Sequence, residues 1–162
     1  MNSNTPKKSR SIIISGWLIH LLTSSGALIG LYTLQAINQK NIKLALILLT
    51  ISIIIDAIDG PLARLLRVKE NIPHFDGMLL DYIVDFFTWI IVPCFLIIQT
   101  NIFSEIESYL ITSGIIISSC YQFCCKDLKS EDNTFKRWPS AWSIVVICIF
   151  LWNPPKIISL IS

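Results

Sequence analysis

Apolar residues in this chain run in long blocks separated by short polar links. Five blocks stand out, at 12–37, 42–64, 77–98, 108–125 and 140–152. Blocks of about 20 apolar residues match the length that a helix needs to cross a hydrocarbon core of about 30 Å. The pattern predicts an all-α, polytopic integral membrane bundle of about five transmembrane helices. A short apolar C-terminal segment, 156–162, follows Asn153-Pro154-Pro155 and is too short to span. No internal repeat breaks the chain, so residues 1–162 read as a single membrane-embedded domain with a polar, disordered N-terminal tail at 1–10.

Composition agrees with the pattern. Hydrophobic residues make up 53% and charged residues only 15%, too little charge to cover a soluble domain of this size. The net charge of +2 gives no footprint for nucleic acid. The distribution of charge says more than its sum. With the N-terminus inside, Lys7, Lys8, Arg10, Arg64, Arg67, Lys69, Lys126, Lys129, Lys136 and Arg137 fall on one side, and only Lys40, Lys43 and Lys156 on the other. Lys and Arg accumulate on cytoplasmic loops, so the N-terminus and the loops at 65–76 and 126–138 are expected in the cytoplasm. The first apolar block is too long for the core of a cleaved signal and reads as a retained span. The five cysteines, Cys94, Cys120, Cys124, Cys125 and Cys148, lie in or beside apolar blocks. They lack a paired CxxC or a nearby histidine and read as buried thiols.

One stretch breaks the apolar rule. Asp56, Asp59, Asp81 and Asp85 sit within or beside the second and third blocks, where an ionisable side chain is costly and marks a functional site by default. Asp56 and Asp59 share one helix face, and so do Asp81 and Asp85. An antiparallel hairpin of the two blocks returns both pairs to similar depth near the cytoplasmic face. If the faces meet, four carboxylates converge and need compensating charge. Oxygen-only ligands favour Mg²⁺ or Mn²⁺, and two such ions can clamp a diphosphate. Arg64 suits phosphate oxygens, while Gly60 and Ala63 remove bulk beside the carboxylates. The residues alone leave open an interfacial acidic pair, an Asp59–Arg64 structural pair, and an ion- or proton-handling hairpin.

The ordered set Asp56-x2-Asp59-Gly60-x2-Ala63-Arg64, then Gly77-x3-Asp81-x3-Asp85, resembles the signature of the CDP-alcohol phosphatidyltransferases, membrane enzymes that displace CMP from a CDP-activated lipid or alcohol. Twelve residues separate Arg64 from Gly77, where most of the family has eight. That longer spacing is similar to the bacterial branch that joins CDP-diacylglycerol to free choline. The stretches HLLTSSGALIGL and DNTFKRWPSAWSIV resemble that branch as well. The resemblance implies an enzyme in which Asp56, Asp59 and Asp81 hold divalent metal, and Asp85 is a further ligand or, in preference, the general base for the choline hydroxyl. It implies that Arg64 binds phosphate, that Gly60 and Ala63 line the CDP site, and that Gly77 opens the turn into the third span. Two Mn²⁺ or Mg²⁺ ions, a lipid bilayer, a bacterial inner membrane, a cytoplasmic active site and a homodimer are implied in the same way. Enzymes of that branch are longer, so C-terminal spans are expected to be missing here. Transfer to serine, glycerol phosphate or inositol is the alternative within the family, and a truncated, non-catalytic membrane protein is the alternative outside it.

Choline's trimethylammonium group is held by aromatic faces. Tyr82, Phe86 and Trp89 form one stripe beside the second aspartate pair and are the candidate cage, with ordinary span packing as the competing reading. His20 and Thr23, three apart in the first block, can contact the nucleotide or hydrogen-bond between helices.

Overall fold

The computed structural model describes residues 10–100, 102–124 and 142–152. The N-terminal tail, the 126–138 loop with its four basic residues, Cys125 and the C-terminal apolar segment lie outside the described residues. Among those described, no strand occurs, and all five apolar blocks are helical. Two helical stretches, Arg10–Asn38 and Gly77–Gln99, are long and apolar enough to cross a membrane, and Trp142–Trp152 is a shorter apolar helix.

Helix α1 spans Arg10–Asn38 and is the mast of the bundle. Its buried positions, Gly16, Ile19, His20, Thr23, Gly26, Gly30, Thr33 and Ile37, recur every three or four residues and are mostly small or polar. Its outer face is Leu18, Leu21, Leu28 and Leu31, all exposed. Such an inversion of the soluble pattern suits a helix whose outer solvent is lipid and whose inner face must approach its neighbours closely. Lys40 then turns left-handed at φ 58°. The amides of Lys40 and Asn41 return to the carbonyls of Ile37 and Ala36 at 2.9 Å each, which closes the helix as a Schellman turn. Asn41 also caps α2, accepting the Leu44 N–H at 3.1 Å.

Helix α2, Ile42–Leu65, runs back along α1, the broadest contact in the fold. The link at 65–76, expected as a plain polar loop, contains a short helix α3, Val68–Asn71. Val68 and Ile72 are buried against Ile19 of α1 with Leu62, Ala63 and Phe75 around them. Two apolar residues four apart dock the loop on the bundle, so it is a plug over the end of α1 rather than a free link.

The third block is one continuous helical rod in three parts. These are α4 at Gly77–Asp85, a π-helical segment at Phe86–Ile91, and α5 at Val92–Gln99. Asp76 caps its start, accepting the N–H groups of Met78 and Leu79 at 3.1 Å. The rod also leans on α1, and Phe87 fills the notch at Gly30, where an added Cβ would lie 2.6 Å from the ring. Helices α6, Glu105–Cys124, and α7, Trp142–Trp152, pack on the π segment and α5.

The interior divides along its length. One end is apolar: Ile37, Ala45, Leu49, Ile90, Leu96, Val146 and Phe150 form a single buried cluster. The other end, where α2 finishes and α4 begins, holds the aspartates.

Candidate metal and phosphate site

Helices α2 and α4 both rest on α1 more than on each other, so their carboxylates reach across a narrow gap. Asp56, Asp81 and Asp85 each offer an oxygen within 4.8 Å of the other two. Opposite oxygens of a six-coordinate Mg²⁺ stand about 4.2 Å apart at the usual bond length of about 2.1 Å. Three hard, partly buried oxygen donors at this spacing therefore fit one divalent ion. Asp85 and Asp56 lie within hydrogen-bonding reach of each other, a juxtaposition that two carboxylates tolerate only by sharing a proton or a cation.

Asp59 stands apart from that trio. It is 4% exposed and lies beside Thr23 of α1, whose hydroxyl donates to the Ile19 carbonyl at 3.2 Å. The structure thus brings together three of the four sequence-predicted carboxylates and turns the fourth toward α1. All but Asp81 border one small cavity of about 10 Å³, room for a single water or small ion. The hydroxyl residues Thr23, Ser52 and Thr88 line it as well. Ser52 is one turn before Asp56 and Thr88 is one turn after Asp85. A hydroxyl one turn from each inner aspartate was the sequence signal for this lining, and the aspartates' own spacing overshadowed it.

The glycines and Arg64 fall into place around the gap. Arg64 is exposed and folds back along α2, with Nη1 at 3.7 Å from where a Cβ on Gly60 would stand. The bare backbone at Gly60 leaves that guanidinium room to lie back along the helix. Ala63 packs against the Val68–Ile72 plug. Gly77 is the seat of the His20 ring: an added Cβ would lie 2.6 Å from Cε1 and 3.2 Å from Nδ1. Gly77 therefore does more than open a turn, since it lets α1 and α4 touch one turn before Asp81. The His20 ring is further wedged by Phe75, with ring centres 4.4 Å apart, and by Trp17 at 5.8 Å. Its Nε2 is buried without a hydrogen-bond partner.

The aromatic stripe divides. Tyr82 and Phe86 meet Phe123 of α6 edge-on, with ring centres 6.0 and 5.6 Å apart. Trp89 packs against the apolar cluster. Phe123 has no sequence signal pointing to it, because its place beside Tyr82 depends on how α6 packs.

The CDP-alcohol phosphatidyltransferase family model matches residues 17–162. Among curated proteins, the chain is similar to the phosphatidylcholine synthase of Legionella pneumophila, at 39% identity over 160 residues, covering 98% of this chain and 63% of that one. It is 40% identical over 150 residues to the phosphatidylcholine synthase of Borreliella burgdorferi, covering 93% and 64%. With that of Pseudomonas aeruginosa it shares 34% over 135 residues, covering 83% and 57%. The chain thus spans about three-fifths of the length of these curated relatives. No solved structure matches it. The chain belongs to the CDP-alcohol phosphatidyltransferase family, whose members use divalent metal ions.

Proposed function

We propose that this family member is a phosphatidylcholine synthase, which transfers the phosphatidyl group of CDP-diacylglycerol to choline and releases CMP. The observation that carries the reading is the convergence of Asp56, Asp81 and Asp85 within 4.8 Å at one end of an apolar helical bundle, with Arg64 folded back over Gly60 on the same helix as Asp56. The similarity to phosphatidylcholine synthases over most of the chain and the twelve-residue interval from Arg64 to Gly77 support choline over serine, glycerol phosphate or inositol.

In this reading Asp56, Asp59, Asp81 and Asp85 would hold Mn²⁺ or Mg²⁺, two ions in all. Bound there, the cations neutralise charge on the diphosphate and on the departing CMP. Arg64 binds phosphate oxygens through its guanidinium, and Gly60, Ala63 and Gly77 line the approach of the CDP group. Asp85 accepts the proton of the choline hydroxyl as its oxygen bonds to the β-phosphorus. The bond from that phosphorus to the bridging oxygen breaks, and the electron pair leaves with CMP. Tyr82 and Phe86, joined by Phe123, present ring faces to the trimethylammonium group, with Trp89 stiffening the same helix. The Lys and Arg bias of the sequence puts the N-terminus and the site on the cytoplasmic side of a bacterial inner membrane, where choline arrives from water and CDP-diacylglycerol from lipid. A homodimer is part of this reading.

Membranes containing the chain, supplied with CDP-diacylglycerol, Mn²⁺ and labelled choline, should yield labelled phosphatidylcholine and CMP in equal amounts. Product with another alcohol but not with choline would sink the choline assignment. Absence of divalent-metal binding by the purified chain would sink the transferase reading itself.

A further inference from the structure

The rod that carries Asp85 changes its winding directly after that residue. Between Phe86 and Ile91 the backbone is π-helical, and the Val92 N–H closes the segment on the Phe87 carbonyl, five residues back. Pro93 follows at once. In an α-helix its ring would press on the carbonyl four residues earlier, here that of Trp89, and the wider π winding relieves the collision. π segments of this kind recur at functional sites.

The relief leaves a debt at one carbonyl. In π register the Thr88 carbonyl would receive the N–H of residue 93, and proline has none. A buried main-chain acceptor without a donor costs as much as a lost hydrogen bond. The missing donor comes from another helix. The Ser143 hydroxyl of α7 donates to the Thr88 carbonyl at 2.8 Å, across 55 residues of sequence. Ser143 is 1% exposed and Thr88 3%, so no water competes for the bond. Thr88 is also tied to its own helix, its hydroxyl donating to the Val84 carbonyl at 3.0 Å, and its side chain borders the small cavity with Asp85 and Asp56.

We propose that Ser143 is a positioning residue for Asp85: by supplying the donor that Pro93 cannot, it locks the π register, and the register aims the Asp85 carboxylate at Asp56 and Asp81. Helix α7 is thereby coupled to the site without touching it. The inference rests on the reading of Asp85 as metal ligand and base, and the experiment separates the two.

Five proteins are compared: wild type, Ser143→Ala, Ser143→Thr, Pro93→Ala and the Ser143→Ala/Pro93→Ala double variant. Turnover with CDP-diacylglycerol and choline is one readout, and Mn²⁺ affinity of the purified chain by electron paramagnetic resonance is the other. Ser143→Ala should lower kcat about tenfold with the KM for choline within about twofold, the mark of lost positioning. Ser143→Thr keeps the hydroxyl and should stay within about threefold of wild type. Pro93→Ala restores an N–H in reach of Thr88, so the double variant should recover most of what Ser143→Ala lost in both kcat and Mn²⁺ affinity. Wild-type behaviour of Ser143→Ala in both readouts, or losses that simply multiply in the double variant, overturns the proposal. A chain without turnover whose Mn²⁺ affinity still shows the rescue sinks the transferase reading and upholds the Ser143 lock.

Discussion

The two ends of the bundle are built from the same helices and obey different rules. At the apolar end, Ile37, Leu49, Ile90, Leu96 and Phe150 are almost wholly buried and hold the helices by shape alone. At the acidic end, the buried residues on the same helices include His20, Thr23, Ser52, Asp59 and Thr88, and beyond the Val68–Ile72 plug the helices meet through the Ser143–Thr88 hydrogen bond and one ring seated on a glycine. Contacts by shape are spread over many atoms and degrade gradually. Contacts by a carboxylate, a hydroxyl or a missing Cβ are all-or-none. The apolar end should therefore set how firmly the chain is folded, and the acidic end should set whether it works.

The sharpest test of that division is Asp85→Asn. The amide keeps the volume and loses the charge, so under the proposed function it could not accept the choline proton and would ligate a hard cation poorly. Turnover should fall by about 10³-fold or more, in line with loss of a general base. Thermal unfolding in detergent should stay near wild type, because the apolar cluster is untouched. A variant that loses activity and fold together would erase the distinction between the ends.

Next in size is Gly77→Ala. Its methyl group would meet the His20 ring at 2.6 Å, forcing α1 and α4 apart one turn before Asp81. A displacement of about 1 Å near reacting groups can cost about 10²-fold, and a loss of that order is expected in kcat. Adding His20→Ala empties the seat and should restore much of the activity. If the double variant is no better than Gly77→Ala, the glycine acts on the substrate directly rather than through the histidine.

These contrasts also explain what could be read without coordinates. The five helices were legible because apolar blocks of that length have few other uses, and the aspartates were legible because a charge inside such a block is conspicuous. Lone residues that act by packing were not. Nothing in the order of residues says that His20 lands on Gly77, that Phe123 joins Tyr82 and Phe86, or that Ser143 reaches Thr88. Each depends on the relative height of two helices, which a period of 3.6 residues does not encode. Asp59 shows the same limit. Its spacing from Asp56 put it on the right face, but whether it meets the other carboxylates or Thr23 is decided by α1. The plug at Val68 and Ile72 was hidden among six charged or polar neighbours that made 65–76 look like a plain loop.

At the apolar end, Phe150→Ala gives the complementary result. The side chain is fully buried, and its removal from a soluble core would cost about 3–5 kcal/mol. Lipid fills space that water would not, and between membrane helices the transfer contribution is weak, so a loss of about 2 kcal/mol is expected, mostly from the cavity. Unfolding in detergent should shift to lower temperature while kcat per folded molecule holds. A fall in kcat without a fall in stability would show that α7 reaches the site through Phe150 as well.

The smallest effect belongs to a polar contact at the apolar end, and its smallness is the point. Ser104 and Glu107 form a capping box at the start of α6: the Ser104 N–H and hydroxyl donate to the Glu107 carboxylate at 2.9 and 2.8 Å, and the Glu107 N–H returns to the Ser104 oxygen at 3.4 Å. These hydrogen bonds favour the ionised form and hold the Glu107 carboxyl below its ordinary range. A carboxyl whose folded value is depressed adds stability above its unfolded value, near pH 4.3, and loses it as pH falls through the lower folded value. Ser104→Ala should therefore lower the unfolding temperature slightly at pH 7 and by less well below pH 4, where the wild-type carboxyl is protonated too and the bond from the Glu107 N–H to the Ser104 oxygen is what remains to be lost. Because the carboxylate is fully exposed, solvent screens it, and the same count of hydrogen bonds that would decide activity at the acidic end only trims stability here. An effect at pH 7 as large as that of Phe150→Ala would mean that burial is not what separates the two ends.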